Sequence, residues 1–158
     1  MLKFLRKNFS IIAPVDGRVI DLEKVEDGVF SKKVAGEGVA IEPTGDIVVA
    51  PADGRLSLLF NTNHAFGMIL DNGVEILVHI GIDTVGLDSH GFKPLVKEGD
   101  LLKAGDPVIK IDRNFILSKG YSLITPIIIT NSQDVREITC NTNVDVKAAE
   151  DVILTYIL

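Results

Sequence analysis

Apolar and polar residues alternate along this chain in short runs separated by turn residues, and very little of it repeats at helical spacing. The clearest run is Val74–Asp83. There Val74, Ile76, Val78, Ile80 and Ile82 point one way, and Glu75, Leu77, His79, Gly81 and Asp83 point the other. Similar runs lie at Gly17–Leu22, Gly38–Glu42, Asp46–Ala50, Gly54–Phe60, Ala65–Leu70, Pro107–Ile111 and Thr125–Thr130. Gly, Pro, Asn and Asp bound them, which is how strands and turns are punctuated. Only Asn114–Lys119 and the first dozen residues read as helix. The pattern predicts an all-β protein, an antiparallel β-sandwich or barrel-like fold with little helix.

The pattern also repeats. Ile12-Ala-Pro-Val-Asp-Gly-Arg-Val19 recurs as Val49-Ala-Pro-Ala-Asp-Gly-Arg-Leu56. Each reads as a strand, a turn at Asp-Gly and a second strand. Gly-Asp turns at Glu98–Asp100 and Ala104–Asp106 frame another short strand at Leu101–Lys103. Turns of this kind occur in biotinyl- and lipoyl-carrier modules, but no exposed Met-Lys-Met apex is present, so the repeat predicts a duplicated structural hairpin. No Ser/Pro-rich linker divides the chain, which predicts one domain over residues 11–158.

Composition narrows the function. The 158 residues are enough for one buried core. With 17 Val and 19 Ile against 7 Phe, 2 Tyr and no Trp, the core is β-branched, as a pleated surface favours. A formal charge of −6 without an Arg/Lys stripe argues against nucleic acid. The single cysteine, Cys140, excludes an internal disulfide and a cysteine zinc site. No apolar run approaches the roughly 20 residues of a membrane span. A cytoplasmic, monomeric protein is expected.

Residues 1–10 form a distinct basic leader. On a helical wheel Met1, Leu2, Leu5 and Phe9 share one side and Lys3, Arg6 and Lys7 another, so the segment can fold as an amphipathic helix on an anionic bilayer or stay disordered.

The candidate chemistry lies at two histidines. Ala65–Leu70 and Val74–Ile82 are joined through Asp71-Asn72-Gly73, and Asn-Gly is the strongest short hairpin signal. A two-residue turn at Asn72-Gly73 sets Asp71 opposite Val74. His79 then faces Phe66, Gly81 faces His64 and Asp83 faces Thr62, so two imidazoles, a hydroxyl and a carboxylate converge on one face. A three-residue loop would break that register. The pair suits general acid–base work, metal binding or nucleophilic attack by a ring nitrogen. His90, in Asp88-Ser-His-Gly91, reads as a solvated loop residue.

Thr62-Asn-His64-Ala-Phe66-Gly, followed by Val74-Glu-Ile-Leu-Val-His79-Ile-Gly-Ile-Asp83-Thr-Val85, closely resembles the glucose-class enzyme IIA of the bacterial phosphoenolpyruvate-dependent sugar phosphotransferase system. Ile12-Ala-Pro14, Val29-Phe30, Gly36-Glu-Gly38, Pro43-Thr44-Gly45, Gly91-Phe92 and Thr125-Pro126 extend the resemblance over almost the whole chain. It implies a fold of the duplicated-hybrid-motif type and a phosphocarrier. The residue matching His79 would take a phosphoryl group from the phosphocarrier protein HPr and pass it to a cysteine on the IIB domain of a sugar transporter. The residue matching His64 would assist and that matching Thr62 would orient it. Asp27 and Asp83 would flank the site for a basic partner, and Phe30, Phe60 and Phe66 would form an apolar docking rim. The family's phenylalanine before the active histidine is replaced by the aliphatic Leu77, Val78 and Ile80.

The physics suits that role. Gly81's carbonyl is placed by sequence to hold Nδ1–H of His79 and leave Nε2 free, and His64 can stabilise charge on the transferring oxygens. No cofactor is expected, because the donor is itself a phosphoprotein; a zinc ion at the His64–His79 pair would be incidental. Two other classes compete. His79-x-x-x-Asp83 matches half of a zinc-peptidase pattern, though its companion His-x-His is missing. A regulatory binding module could share the fold without the chemistry, though it would have no need of both histidines.

Overall fold

The computed structural model describes residues 7–158. The predicted β architecture is present: strands dominate, every strand pairing is antiparallel, and helix is scarce.

The first six strands are β1 (Phe9–Ile12), β2 (Gly17–Asp21), β3 (Glu37–Pro43), β4 (Ile47–Val49), β5 (Gly54–Leu59) and β6 (Ala65–Leu70). After them come β7 (Glu75–His79), β8 (Phe92–Pro94), β9 (Leu101–Leu102) and β10 (Pro107–Ile111). The last are β11 (Thr125–Ile129), β12 (Arg136–Cys140), β13 (Asp145–Val146) and β14 (Val152–Ile157). Two short α-helices, α1 (Gly28–Ser31) and α2 (Arg113–Ser118), interrupt them. The helix expected at Asn114–Lys119 is α2, and Asp112 starts it by accepting from Phe115 N at 3.0 Å. The helix expected over the first dozen residues is not seen at its described end, where Phe9–Ile12 is the strand β1. Pairing with β14 and stacking of Phe9 on Tyr156, with ring centroids 5.5 Å apart, outweigh any local helical preference there. The rest of the leader, residues 1–6, lies outside the described residues.

The strand order is symmetric. One sheet runs β13-β2-β3-β11-β7-β6-β5-β9, and two smaller ones run β1-β14-β12 and β4-β10-β8. Exchanging β2 with β5, β3 with β6, β11 with β7 and β13 with β9 leaves the large sheet's order intact. The repeated Pro-x-Asp-Gly-Arg turns sit at equivalent places and bond alike. Asp16 Oδ1 accepts from Ala148 N and Asp53 Oδ1 from Ala104 N, both at 2.8 Å. These aspartates tie distant turns together, which is a structural role and needs no catalysis.

A large core of Val, Ile and Leu, with Phe66, Met68 and Tyr156, lies on the inner face of the large sheet. A smaller cluster covers part of its outer face: Leu22, Val25 and Phe30, from the segment between β2 and β3, pack on Ala40 and Ile128. That segment brings α1 to the site.

Candidate functional site

The site forms where the β6–β7 hairpin meets the segment carrying α1. The hairpin register differs by one residue from the expected one. Leu70 N donates to Val74 O and Gly73 N to Leu70 O, so the loop has three residues, Asp71-Asn72-Gly73. Asn72 fixes it: its Oδ1 accepts from Val74 N at 3.1 Å and its Nδ2 donates to Tyr156 OH at 2.8 Å. His79 therefore faces Ala65, and Val78 faces Phe66. A one-residue slip moves every side chain to the opposite face. Phe66 consequently belongs to the main core, with no exposed surface, and cannot form part of a docking rim. The expected pairings of Gly81 with His64 and Asp83 with Thr62 fail too, because β7 ends at His79.

The histidines still meet, by another route. His64 precedes β6, and its carbonyl accepts from Ile80 N at 2.7 Å. Its ring lies edge-on to that of His79, with centroids 4.9 Å apart and an 83° interplanar angle. Thr62 Oγ1 and His64 Nδ1 are 2.6 Å apart, a hydrogen bond that holds the ring. Phe60 and Phe92 pack edge-on to His64 at 5.3 and 6.5 Å, and Phe30 tilts against His79 at 5.2 Å.

His79 Nδ1 donates to the carbonyl of Gly81 at 2.8 Å. In the neutral ring this leaves an unprotonated Nε2. Gly81 has φ +79°, and an added Cβ would lie 2.5 Å from Thr84 Cγ2 and 2.7 Å from Ser122 O. Both backbone sign and space demand glycine. The turn is further held by Thr84 Oγ1 donating to Ile80 O and Ile82 N to Ser122 O.

Asp27 and Asp83 stand where their charges act on His79. Asp27 caps α1 through its carboxylate and Val29 N at 2.8 Å. Exposed Asp83 sits at φ +60° on the turn after Gly81, a left-handed conformation uncommon for residues other than glycine. Phe30 is buried against His79 and Phe60 is half-buried, whereas the neighbouring Val29 and Val85 are exposed. His90 is exposed, and its Nδ1 donates to Leu87 O at 3.0 Å.

Burial favours the neutral form of both rings. Burial, then the neighbouring His79, pulls the pKa of His64 from its ordinary 6.5 to about 4. Burial also lowers that of His79, opposed by the Gly81 carbonyl and by Asp27 and Asp83. Two neutral imidazoles side by side, one with a bare Nε2, suit attack on an electrophilic phosphorus. No group of three or more His, Cys, Asp or Glu able to hold a metal occurs among the described residues.

Sequence reasoning missed three supports of the site. Phe92 backs His64, Thr84 braces the Gly81 turn, and Ser122 anchors it from a distant loop. Phe92 and Thr84 lie inside segments that resemble the family; nothing local marks Ser122. The helix α1 was also missed, although Asp27-Gly28 is an N-cap signal.

Residues 9–135 match the family described as phosphoenolpyruvate-dependent sugar phosphotransferase system, EIIA 1. The chain is 44% identical over 151 residues to the glucose-specific EIIA component of Oceanobacillus iheyensis, covering 96% of this chain and 92% of that one. It is 48% identical over 125 residues to the N-acetylglucosamine-specific EIICBA component of Klebsiella pneumoniae, covering 79% of this chain but 19% of that longer protein. Among solved structures, glucose permease IIA from Mycoplasma capricolum superposes with a TM-score of 0.88 at 39% identity, covering 98% and 99% of the two chains.

Proposed function

Because the chain belongs to the EIIA 1 family of the phosphoenolpyruvate-dependent sugar phosphotransferase system, and so is a phosphocarrier of glucose-class sugar uptake, we propose that His79 carries the phosphoryl group, on Nε2. The observation behind this reading is the 2.8 Å bond from His79 Nδ1 to the Gly81 carbonyl, which fixes one tautomer and leaves the other nitrogen as nucleophile. The donor is the phosphorylated histidine of HPr and the acceptor a cysteine of a transporter IIB domain. In the first step the donor's P–N bond breaks as the bond to Nε2 forms; in the second, that bond breaks as sulfur takes the phosphorus.

His64 assists. With the Thr62 hydroxyl donating to Nδ1, the neutral ring keeps its hydrogen on Nε2, where it can bond a phosphoryl oxygen as charge shifts. Thr62 and Gly81 orient the two rings. Asp27 and Asp83 repel phosphate and attract a basic partner surface, and Phe30 and Phe60 support the apolar part of the contact. Transfer between two ring nitrogens needs no cofactor, and two imidazoles fall short of the three protein ligands usual for catalytic zinc.

The mirrored strand order and matching Asp16 and Asp53 bonds support a duplicated origin for one domain, which takes in Phe9 and Ser10 of the expected leader together with residues 11–158. Among the described residues no helix is long and apolar enough to cross a membrane. The carrier is read as cytoplasmic and monomeric. The test is incubation with HPr, its kinase and phosphoenolpyruvate, followed by mass spectrometry. Acid-labile phosphate on His79 is expected; stable phosphate on His64 or His90 overturns the assignment.

A further inference from the structure

Four consecutive residues set the geometry of the histidine pair, and each is tied from a different direction. The ring of His79 donates to Gly81 O at 2.8 Å, and Ile82 N donates to Ser122 O at 3.1 Å. Between them lies Ile80. Its N–H donates to His64 O at 2.7 Å, and its carbonyl accepts from Thr84 Oγ1. Ile80 therefore joins the two histidines, following His79 in the chain and bonding directly to the backbone of His64.

The far end of this link is closed to solvent. Ile80 and Thr84 are both 0% exposed. A buried carbonyl needs a donor, and among the described residues no backbone N–H reaches Ile80 O. The Thr84 hydroxyl is what satisfies it. Asp83, which precedes the 3-10 turn Thr84–Leu87, makes no side-chain bond that would cap that turn.

The bonded carbonyl belongs to the peptide between Ile80 and Gly81. Turning that peptide would change φ of Gly81, which is +79°, and with it the direction of the Gly81 carbonyl. The methyl of Thr84 guards the same peptide, since its Cγ2 lies 2.5 Å from the place a Gly81 Cβ would occupy. One side chain thus fixes the group that receives Nδ1–H of His79, and the residue that hangs His64 beside it.

We propose that Thr84 is a positioning residue for phosphoryl transfer, whose hydroxyl sets, through the Ile80–Gly81 peptide, the tautomer of His79 and its place beside His64. It acts only through the rings, because no partner can touch a side chain buried this completely. A reacting group displaced by about 1 Å can lose roughly a hundredfold in rate, so such a hydroxyl can govern chemistry it never meets. The inference rests on the reading of His79 as the phosphoryl carrier.

The experiment compares Thr84→Val, which keeps the shape and loses the hydroxyl, with Thr84→Ser, which keeps the hydroxyl. Nitrogen chemical shifts of the labelled His79 ring report its tautomer. Initial rates against phospho-HPr concentration separate maximal rate from half-saturation, and circular dichroism gives the fraction folded. Thr84→Val should show both tautomers and a maximal rate about tenfold lower per folded molecule, with half-saturation unchanged. Thr84→Ser should rescue the single Nδ1–H tautomer and bring the rate to within about twofold of native. If Thr84→Val does not fold, Thr84→Ala is set against Thr84→Ser on the same readouts. A single tautomer with a native maximal rate in the variant lacking the hydroxyl overturns the proposal. So does a Thr84→Ser protein as impaired as that variant, because the methyl would then be responsible. Mixed tautomers together with phosphate on a histidine other than His79 leave the hold on the ring standing and overturn the reading of His79.

Discussion

His79 donates from Nδ1 to the carbonyl of Gly81, two residues ahead of it, at 2.8 Å. That bond exists only because the chain turns at φ +79° directly after the strand, where Thr84 and Ser122 leave no room for a side chain. Gly81→Ala should therefore cost about 1–3 kcal/mol of stability, from backbone strain and crowding together. It should also slow phosphorylation by HPr beyond what the fraction folded explains, because the tautomer is no longer held. Urea unfolding and initial rates on the same sample check both; a native rate on a folded Gly81→Ala protein contradicts the orienting role.

His64→Gln should still accept phosphate from HPr but hand it to IIB about a hundredfold more slowly, since the side chain keeps size and a donor but loses the imidazole. His79→Gln should accept none. Single-turnover transfer from the isolated phosphoprotein is the measurement, and native onward transfer by the His64 variant rules out an assisting role.

Acid should weaken the fold through His64. Its folded pKa of about 4 lies below the ordinary 6.5 of an unfolded chain, so the unfolded state takes the proton first. The contribution is intact above pH 6.5 and drains away as pH falls toward 4, by about 3 kcal/mol in all. Urea titrations at stepped pH should show this slope in the native chain and a shallower one in His64→Gln. The fall of the acceptance rate in acid should be centred below pH 6.5, because burial lowers the pKa of His79 from that ordinary value.

Asp83→Lys should slow association with HPr several-fold at low salt and much less at high salt, as expected for steering by an exposed charge. Stopped-flow association at two ionic strengths tests it. A salt-independent loss would instead locate the effect in the left-handed backbone at Asp83.

β7 was legible from its strict alternation, and β6, β10 and β11 from the turn residues that bound their short apolar runs. Strands with neither signal were missed. Arg136–Cys140 has mostly exposed positions, and Val152–Ile157 carries apolar residues on both faces, so neither shows a period of two. The histidine pair was legible, but its geometry was not. Asn-Gly suggested a two-residue turn, whereas Asn72 is held by Tyr156, 84 positions away, in a three-residue loop. A tertiary hydrogen bond thus decided the register, and with it the burial of Phe66. Ser122 was invisible because its contribution is a backbone carbonyl, which any residue could supply.

The pairing of β1 with β14 has a consequence for how the chain is made. Phe9 stands opposite Tyr156, and Arg18 on β2 opposite Asp145 on β13, so early strands depend on the last ones. As the polypeptide leaves the ribosome, β1 and one edge of β2 have no partners until nearly all of it has been synthesised. Such long-range closure is slow and leaves unpaired edges exposed meanwhile. Once formed, it sets both ends of the folded body side by side, so flanking segments can enter and leave from one place without straining the site.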